Sequence, residues 1–311
     1  MLATFTFAVL ACLAPQSPTT GEQAAPVRPQ PLRVITYNVH GWGPVASSDL
    51  GKRRIRMIQS HGQLLPRLAL ELQLYDPDVI ALQEAHSEAR VKELAALMKM
   101  DYAYFPGGWK GKGWREGISG AILSRPKILA RENRPSIDPK IPQDKLFSRC
   151  LGRVVIEHDQ QQIAVYCAHM LPSWKDTTHI REAEIRTLTV ATNQDLKAGR
   201  SVIVMGDMNH ESDAPEYRLW AKAGLVDTVF IKPIEMPPML IHGDRVLHQA
   251  KTQWTCPSED PKERIDFIFV AGPLKARLDH SGALHEGVFM VQALGSPFAL
   301  SDHIPVFAEF R

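Results

Sequence analysis

The chain has 311 residues, of which 44% are hydrophobic and 23% charged, and its formal net charge is +2. This is a globular composition that can bury a sizeable core. The small net charge does not by itself indicate a nucleic-acid partner, nor does it exclude one. The four cysteines form no CxxC pair, so a zinc site built from cysteines is not expected.

The N-terminus differs from the rest of the chain. Residues 1–14 are almost wholly apolar and carry no charge, and residues 15–31 are rich in Pro, Gln, Ala and Thr. The first segment is too short to span a bilayer but long enough for a signal peptide, although the usual basic start is missing. Its VLAC sequence also fits a lipoprotein signal, with Cys12 as the lipid-anchored residue. We therefore expect an exported protein, with residues 15–31 as a linker and residues 32–311 as the catalytic domain.

In chain order, the apolar pattern predicts alternating strands and helices. A β-branched run predicts a buried strand over Leu32–Val39, and helical spacing predicts one helix over Lys52–Leu74. The later predicted elements are a strand over Val79–Leu82, a helix over Ser87–Met100, a strand over Ala121–Leu123, a hairpin of Leu151–Glu157 and Ile163–His169, a helix over Thr178–Lys197, a strand over Ser201–Met205, a short helix capped by Ser212 or Asp213, and strands over Arg264–Val270 and Ile304–Phe310. Loops rich in Gly or Pro are predicted at Gly107–Gly117, Arg131–Asp144 and Pro233–Gly243. This mixture of hairpins and βα units indicates one α/β domain with packed sheets.

Polar residues follow the predicted strands repeatedly. The strand ends carry Asn38, Glu84, His169, Asp207 with Asn209, Asp266, and the pair Asp302–His303. In α/β proteins, functional groups commonly lie just beyond strand ends, on loops held by a rigid scaffold. Each residue has an ordinary alternative when taken alone: Asp207 as a helix cap, Asn38 as a turn residue, Glu84 as a strand-end charge, and His303 as a histidine before a proline. Their joint occurrence argues against these alternatives.

The residue types point to chemistry at phosphorus. The side chains of Asn38, Glu84, Asp207, Asn209 and Asp302 are hard oxygen donors, which suit Mg²⁺ or Mn²⁺ better than zinc. Neutral amides among them avoid excess repulsion of an anionic phosphate. His169 and His303 could donate hydrogen bonds to a phosphate oxygen as its charge grows.

This arrangement resembles the endonuclease/exonuclease/phosphatase superfamily. The resemblance extends over Leu32–Arg311, and its segments are RVITYNVHG, DVIALQEAH, GAILSR, VYCAHM, VIVMGDMNH, ERIDFIFV and LSDHIPVFAEF, in the family order. Each segment alone is weak evidence, but GDMN followed by SDHIP is specific. The resemblance implies an α+β fold, a four-layer α/β/β/α sandwich of two packed mixed β-sheets, with the active site at one end.

The resemblance also implies a role for each matching residue. Glu84, Asn38 and Asp302 would form the metal site, and Asp207 would activate the attacking water. Asn209, His169 and Arg149 would bind the phosphate, and His303, paired with Asp266, would contact the scissile phosphate. Glu116 would orient His169.

We therefore expect a hydrolase dependent on Mg²⁺ or Mn²⁺, most simply an exported nuclease-like phosphodiesterase. The alternative is a phosphatase or phospholipase C-like enzyme acting on an inositol phosphate, a sugar phosphate or a lipid headgroup. A catalytically dead binding module is a third alternative, disfavoured because every expected ligand type is present. For partners, we expect a phosphoester substrate, with nucleic acid among the candidates, a monomeric chain, and no stable membrane span.

Overall fold

The computed structural model of the chain describes residues 30–108, 117–133, 147, 149–172, 178–231, 241–242, 245–246, 253–285, 287–291 and 296–311. Two six-stranded sheets dominate this part of the chain. The strands are β1 (Leu32–Asn38), β2 (Val79–Gln83), β3 (Asp101–Phe105), β4 (Gly120–Ser124), β5 (Ile128–Asn133), β6 (Cys150–His158), β7 (Gln161–His169), β8 (Ser201–Asp207), β9 (Val226–Asp227), β10 (Ile241–His242), β11 (Arg245–Val246), β12 (Asp266–Ala271), β13 (Leu278–Ala283) and β14 (Val306–Phe310).

Each large sheet has one parallel pair in its middle and is otherwise antiparallel. The first sheet has the order β13-β14-β1-β2-β4-β3, with β1 and β2 parallel. The second has the order β5-β6-β7-β8-β12-β9, with β7 and β8 parallel. Strands β10 and β11 form a small separate pair. Both large sheets are therefore mixed, as the sequence predicts.

Most of the helices cover the outer faces of the two sheets. They are α1 (Asp49–Ser60), α2 (Leu64–Gln73), α3 (Glu88–Met98), α4 (Thr178–Lys197), α5 (Arg218–Lys222) and α6 (Thr228–Ile231), with short 3₁₀ turns at His40–Trp42, Pro215–Tyr217, Pro273–Arg277 and Gly287–Phe289. Helices α1, α2 and α3 pack on the first sheet, and α4 and α5 pack on the second.

Side-chain alternation along the strands builds this four-layer arrangement. In β1, Val34 belongs to the apolar core between the two sheets, whereas Ile35 belongs to the core beneath the helices. In β8, Ile203 faces the other sheet and Val204 faces α4 and α5. Successive side chains of a strand point to opposite faces, so strands covered on both sides are apolar throughout. The predicted α/β/β/α sandwich is confirmed.

Several local predictions need correction. The helix predicted over Lys52–Leu74 is two helices, because the chain breaks at Gly62, whose φ is +64°. Strand β3 was not predicted, and β5 extends to Asn133, into a segment predicted as loop. Neither Ser212 nor Asp213 caps a helix, because the 3₁₀ turn begins after Ala214 with Pro215 in its first turn. Proline fits there because the first helical N–H groups need no partner inside the helix.

The predicted N-terminal signal and linker stay predictions. Residues 1–29 lie outside the described residues, as do residues 109–116, 134–146 and 232–240, which make up most of the three predicted loops. Within the described part of the chain, no helix combines the length and apolar character needed to cross a bilayer.

Strand direction brings the polar strand ends to one edge of the sandwich. The parallel pair β1 and β2 ends beside Asn38, and the parallel pair β7 and β8 ends at His169 and Asp207. Strand β12 is antiparallel to β8 and starts there, with Asp266 opposite Asp207. Strand β14 is antiparallel to β1, so the residues just before it also reach this edge. Strands from both sheets therefore contribute to one site.

Gly206 allows the close approach of β7 and β8 at this edge. Its φ is +151°, and a Cβ atom there would lie 1.8 Å from the carbonyl oxygen of Ala168. We expect Gly206→Ala to lower the free energy of unfolding by about 1–3 kcal/mol or more, because the backbone of one strand must move. Urea unfolding of the full chain measures this change.

Gly199→Ala is the matched control for this prediction. Gly199 also has a positive φ, +78°, but a Cβ atom there would meet no heavy atom within 4 Å. It should therefore show only the left-handed backbone penalty, about 1–2 kcal/mol. A Gly206→Ala variant as stable as wild type would contradict the close approach.

Candidate active site

Asp207, at the end of β8, lies at the centre of the residues gathered at this edge. Its Oδ2 atom accepts a hydrogen bond from Asn38 Nδ2 at 3.1 Å and lies 3.2 Å from His169 Nε2. Its Oδ1 atom accepts the backbone N–H of Asn209 at 3.0 Å. Asp207, Asn38 and His169 are at most 2% exposed. Register within the second sheet places His169 beside Asp207, and the packing of the two sheets adds Asn38 from β1, so residues from three strands surround one buried carboxylate.

His303 forms a second acid–base pair beside Asp207. Its Nδ1 atom lies 2.8 Å from Asp266 Oδ2, at the start of β12. Its other ring nitrogen, Nε2, lies 3.4 Å from Asn38 Nδ2 and 3.8 Å from Asp207 Oδ2. The bond to Asp266 therefore leaves Nε2 directed towards the same centre, where it can act on a reacting group.

Arg149, Glu84 and Asn209 form the more exposed part of the site. The Nη1 atom of Arg149 lies 3.4 Å from Glu84 Oε1 and also contacts the ring of His169. Asn209 donates from Nδ2 to the carbonyl oxygen of Met170 at 3.0 Å. Arg149 immediately precedes β6, which pairs with β7, so the hairpin carries a guanidinium and an imidazole to the same place. Positive charge thus lies beside the carboxylates, as phosphate binding needs.

The electrostatics of the site hold Asp207 in its ionised form. Burial raises the pKa of this carboxyl, but the charges of His169, His303 and Arg149 and the hydrogen bond from His169 outweigh burial. The pKa of Asp207 therefore lies well below its ordinary value. Burial likewise raises the pKa of Glu84, but the charges of His169 and Arg149 outweigh burial, so the pKa of Glu84 lies below its ordinary value. Both carboxylates are anions at neutral pH.

His303 shifts in the opposite direction. Burial lowers its pKa, but the charge and hydrogen bond of Asp266 outweigh burial, and contacts with Cys256 and Asp207 add to the increase. The pKa of His303 therefore lies well above its ordinary value, and the ring stays protonated further into the alkaline range. A cationic ring with one N–H directed into the site can stabilise negative charge on a phosphate.

Two residues of this edge have strained backbones. Glu84 has φ +54° and Asn209 has φ +52°, both in the left-handed region. Asparagine tolerates this conformation, whereas for glutamate it costs about 1–2 kcal/mol. Such strain persists where the surroundings fix the residue, and it concentrates at functional sites. In Glu84 it directs the carboxylate at the end of β2 towards Arg149.

The donor set at this edge fits a divalent cation. Glu84 and Asp302 are partly exposed carboxylates, with side chains 19% and 35% exposed, and the Asn38 amide oxygen accepts one hydrogen bond, from the His40 N–H at 3.0 Å. An amide oxygen has a second lone pair to offer. These hard oxygen donors suit Mg²⁺ or Mn²⁺. The assignment of Asn38, Glu84 and Asp302 as metal ligands stays a prediction.

A second group of possible metal ligands shares no residue with that assignment. Within the described residues, one ligand atom from each of Asp207, Asp266 and His303 lies within 4.8 Å of the others. All three side chains are buried, and His303 already uses Nδ1 to pair with Asp266. This is the geometry of an acid–histidine pair beside a second acid, and it leaves a cation little solvent access.

Two supporting residues were missed from the sequence. Ser301 donates from Oγ to the carbonyl oxygen of Asn38 at 2.6 Å and accepts the N–H of His303 at 3.2 Å. Thr255 Oγ1 accepts the N–H of Asp266 at 3.2 Å, and its carbonyl accepts the N–H of Ile304 at 2.7 Å. The position of Ser301 directly before Asp302–His303 was a usable signal for the first, whereas nothing in the sequence marks the second.

The predicted role of Glu116 stays a prediction, because that residue lies outside the described residues. Among the residues that the structure does describe, the buried Nδ1 atom of His169 has no hydrogen-bond partner. Trp42, one of the aromatic residues near the site, is only 4% exposed and donates to the carbonyl of His86. It anchors a loop and is not free to stack on a substrate.

The fold is that of DNase I-like hydrolases. It has two packed mixed sheets with outer helices, and one site with acidic and basic residues at their shared edge. The family model described as "Endonuclease/Exonuclease/phosphatase family" matches residues 36–303. The chain belongs to this family. No curated protein sequence matches the chain significantly.

Solved structures of the same family share this fold at low sequence identity. An endonuclease/exonuclease/phosphatase family protein from Bacteroides thetaiotaomicron is 19% identical, with a TM-score of 0.63, and the match covers 91% of this chain and 98% of that one. The mannosyl-6-phosphatase of the same organism is 19% identical, with a TM-score of 0.63 and coverage of 89% and 98%. D. rerio TDP2 in complex with a single-strand DNA product is 21% identical, with a TM-score of 0.56 and coverage of 90% and 99%.

Proposed function

We propose that the chain is a divalent-metal-dependent phosphoester hydrolase that uses in-line attack of water at phosphorus. The observation that best supports this proposal is the ionised, buried Asp207, which lies within 3.2 Å of both Asn38 and His169 and beside the His303–Asp266 pair. A carboxylate that stays ionised at neutral pH can orient an attacking water and accept its proton, while the neighbouring donors and cationic groups stabilise the charge of an anionic substrate.

Each group at this edge has one task in the proposed reaction. Asp207 takes the proton from the attacking water, and Asn209 holds that water and the phosphate. Arg149 and His169 bind the non-bridging phosphate oxygens, and His303 donates from Nε2 as negative charge develops, while Asp266 holds its ring. A bound Mg²⁺ or Mn²⁺, held by Glu84, Asn38 and Asp302, would supply charge stabilisation at the phosphoryl and leaving oxygens.

For the substrate, we favour a phosphodiester and nuclease-like activity, with phosphatase or phospholipase C-like activity as the alternative. The structural relatives include examples of both kinds, since one is named a mannosyl-6-phosphatase and another was solved with a single-strand DNA product. The site recognises phosphate oxygens and leaves the choice of attached group to the surrounding loops.

A substrate panel tests this proposal on the full chain. We expect turnover of bis-p-nitrophenyl phosphate, nicking of supercoiled plasmid, and weaker release from p-nitrophenyl phosphate. EDTA should abolish all three activities, and Mg²⁺ or Mn²⁺ should restore them. Faster release of phosphate from sugar phosphates, inositol phosphates or lipid headgroups would move the assignment to the alternative. A chain without EDTA-sensitive turnover on any substrate would be a binding module, and the proposal would be wrong.

We also propose export, on the basis of the uncharged apolar run over residues 1–14. N-terminal sequencing of the protein recovered from its producing cells tests this proposal. A shortened N-terminus supports cleavage, and a lipid-modified Cys12 as the new first residue supports an anchor. A chain that keeps Met1 would contradict export through a cleaved signal.

A further inference from the structure

Helix α4 places two charged residues beneath the candidate active site. Arg181 is 4% exposed and Glu184 is not exposed at all. They are three positions apart and so lie on the same side of the helix. Neither has a place in the reaction proposed above, yet burial of a charge is costly unless hydrogen bonds or an opposite charge offset it. Hydrogen-bond partners must therefore offset the burial of both charges.

The carboxylate of Glu184 joins two separate backbone segments. Its Oε1 atom accepts the N–H of Phe147 at 2.9 Å, and its Oε2 atom accepts the N–H of Leu171 at 3.1 Å. Phe147 lies two residues before Arg149, and Leu171 lies two residues after His169. One side chain thus holds the backbone shortly before β6 and just past the end of β7, beside the residues that carry the phosphate-binding groups.

Arg181 fixes the same backbone from the other side. Its Nη1 atom donates to the carbonyl oxygen of Leu171 at 3.2 Å, and its Nε atom donates to Glu216 Oε1 at 2.7 Å. Both backbone polar groups of Leu171 are therefore held by α4. The preceding residue, Met170, accepts the side-chain amide of Asn209 and donates to the backbone of Asp207, each at 3.0 Å. A shift of Leu171 would therefore reach Asn209 within one residue.

We propose that Glu184, supported by Arg181, is a positioning residue for the phosphate-binding groups Arg149, His169 and Asn209. It acts through the backbone of Phe147 and Leu171 and does not touch the substrate. The inference rests on the proposed function, since it assigns a purpose to those three groups. Displacement of a binding group by about 1 Å can lower the rate by about 10²-fold, so two anchoring hydrogen bonds suffice for a large effect.

The role of Glu184 depends on its protonation state, and its ionised form is fully populated only above neutral pH. Burial raises the pKa of its carboxyl to about 7. The backbone N–H groups of Leu171 and Phe147 and the charges of Arg181 and Arg149 act in the opposite direction. Glu216, which pairs with Arg181, is a further charged group nearby. The ionised form has two free acceptor oxygens, which match the two backbone donors, whereas glutamine has only one.

Three variants separate positioning from simple packing: Glu184→Gln, Glu184→Ala and Leu188→Ala. Leu188 lies one turn further along α4, is fully buried against the second sheet, and contributes packing alone. With bis-p-nitrophenyl phosphate, we expect kcat/KM to fall by about 10²-fold in Glu184→Ala. In Glu184→Gln we expect a fall of about tenfold, because one of two hydrogen bonds remains. Leu188→Ala should lose stability but keep kcat/KM within about threefold of wild type when assayed below its Tm.

Binding of inorganic phosphate provides a second measurement that does not depend on turnover. Phosphate should raise the Tm of wild type and of Leu188→Ala, and raise it much less in Glu184→Gln. Unchanged kcat/KM and unchanged phosphate binding in Glu184→Gln, even if Glu184→Ala fails to fold, would overturn the inference. If wild type and Leu188→Ala bind phosphate but hydrolyse no ester, the proposed function fails, and the phosphate comparison still decides the role of Glu184.

Discussion

Asp207→Asn should lower kcat/KM for a phosphodiester by about 10²- to 10⁴-fold and leave the chain folded. Asparagine keeps the size of the side chain but cannot take a proton from water. It also replaces a carboxylate oxygen that lies 3.1 Å from Asn38 and 3.2 Å from His169 with a group that can donate. Steady-state kinetics on bis-p-nitrophenyl phosphate with saturating Mg²⁺ measure the loss, and circular dichroism verifies the fold.

Asp213→Asn is the matched control for this variant. Asp213 is exposed and lies six residues further along the same loop, so the substitution removes the same charge without touching the site. Its kcat/KM should remain within about twofold of wild type, as is usual for an exposed surface change. An Asp207→Asn variant within about threefold of wild type would contradict the role of Asp207 as the base.

Asp266→Asn should move the alkaline limb of the kcat/KM profile to lower pH, by about one to three units. Asp266 is the main group that raises the pKa of His303, through its charge and a 2.8 Å hydrogen bond. In wild type the ring therefore stays protonated to a higher pH than an ordinary histidine. Without the anion its pKa falls, and the activity that needs the protonated ring is lost earlier as the pH rises.

His303→Ala completes this prediction, since removal of the ring should lower kcat by about 10²- to 10³-fold at pH values below the alkaline limb of wild type, and by less above it. Asp260→Asn is the control, because the Asp260 side chain is 49% exposed and pairs with Lys262 at 3.0 Å. Its pH profile should coincide with that of wild type. An unchanged alkaline limb in Asp266→Asn would mean that His303 does not act in its protonated form.

The sheets and the edge that carries the site were predictable because their signals are local. Buried strands such as Ser201–Asp207 are continuous apolar runs, and they end at polar residues that a family motif identifies. Helix limits were less predictable. The apolar spacing continues from Ile55 to Leu72 across the break at Gly62, so periodicity alone joined α1 and α2. Strand β5 was obscured because five of its six residues are exposed and largely polar.

The supporting contacts of the site could not be predicted, because they are set by tertiary structure. Ser301 and Asn38 are 263 positions apart, and Glu184 and Phe147 are 37 positions apart. Each contact involves a backbone group, which carries no sequence signal. Only the packing of β1 against β14, and of α4 against the second sheet, brings these partners together. Residue types therefore predict the kind of chemistry, whereas the groups that hold the site in place are seen only in the structure.

In the proposed reaction, a water that Asp207 activates attacks phosphorus once. The stereochemical course at phosphorus tests this single attack most directly. Hydrolysis of a chiral phosphorothioate diester in ¹⁸O-labelled water, with Mg²⁺ or Mn²⁺, measures it. We predict inversion at phosphorus, with the label in the phosphorothioate product. Retention would indicate a covalent phosphoenzyme, and label in the alcohol would indicate attack at carbon. Either result would contradict the account.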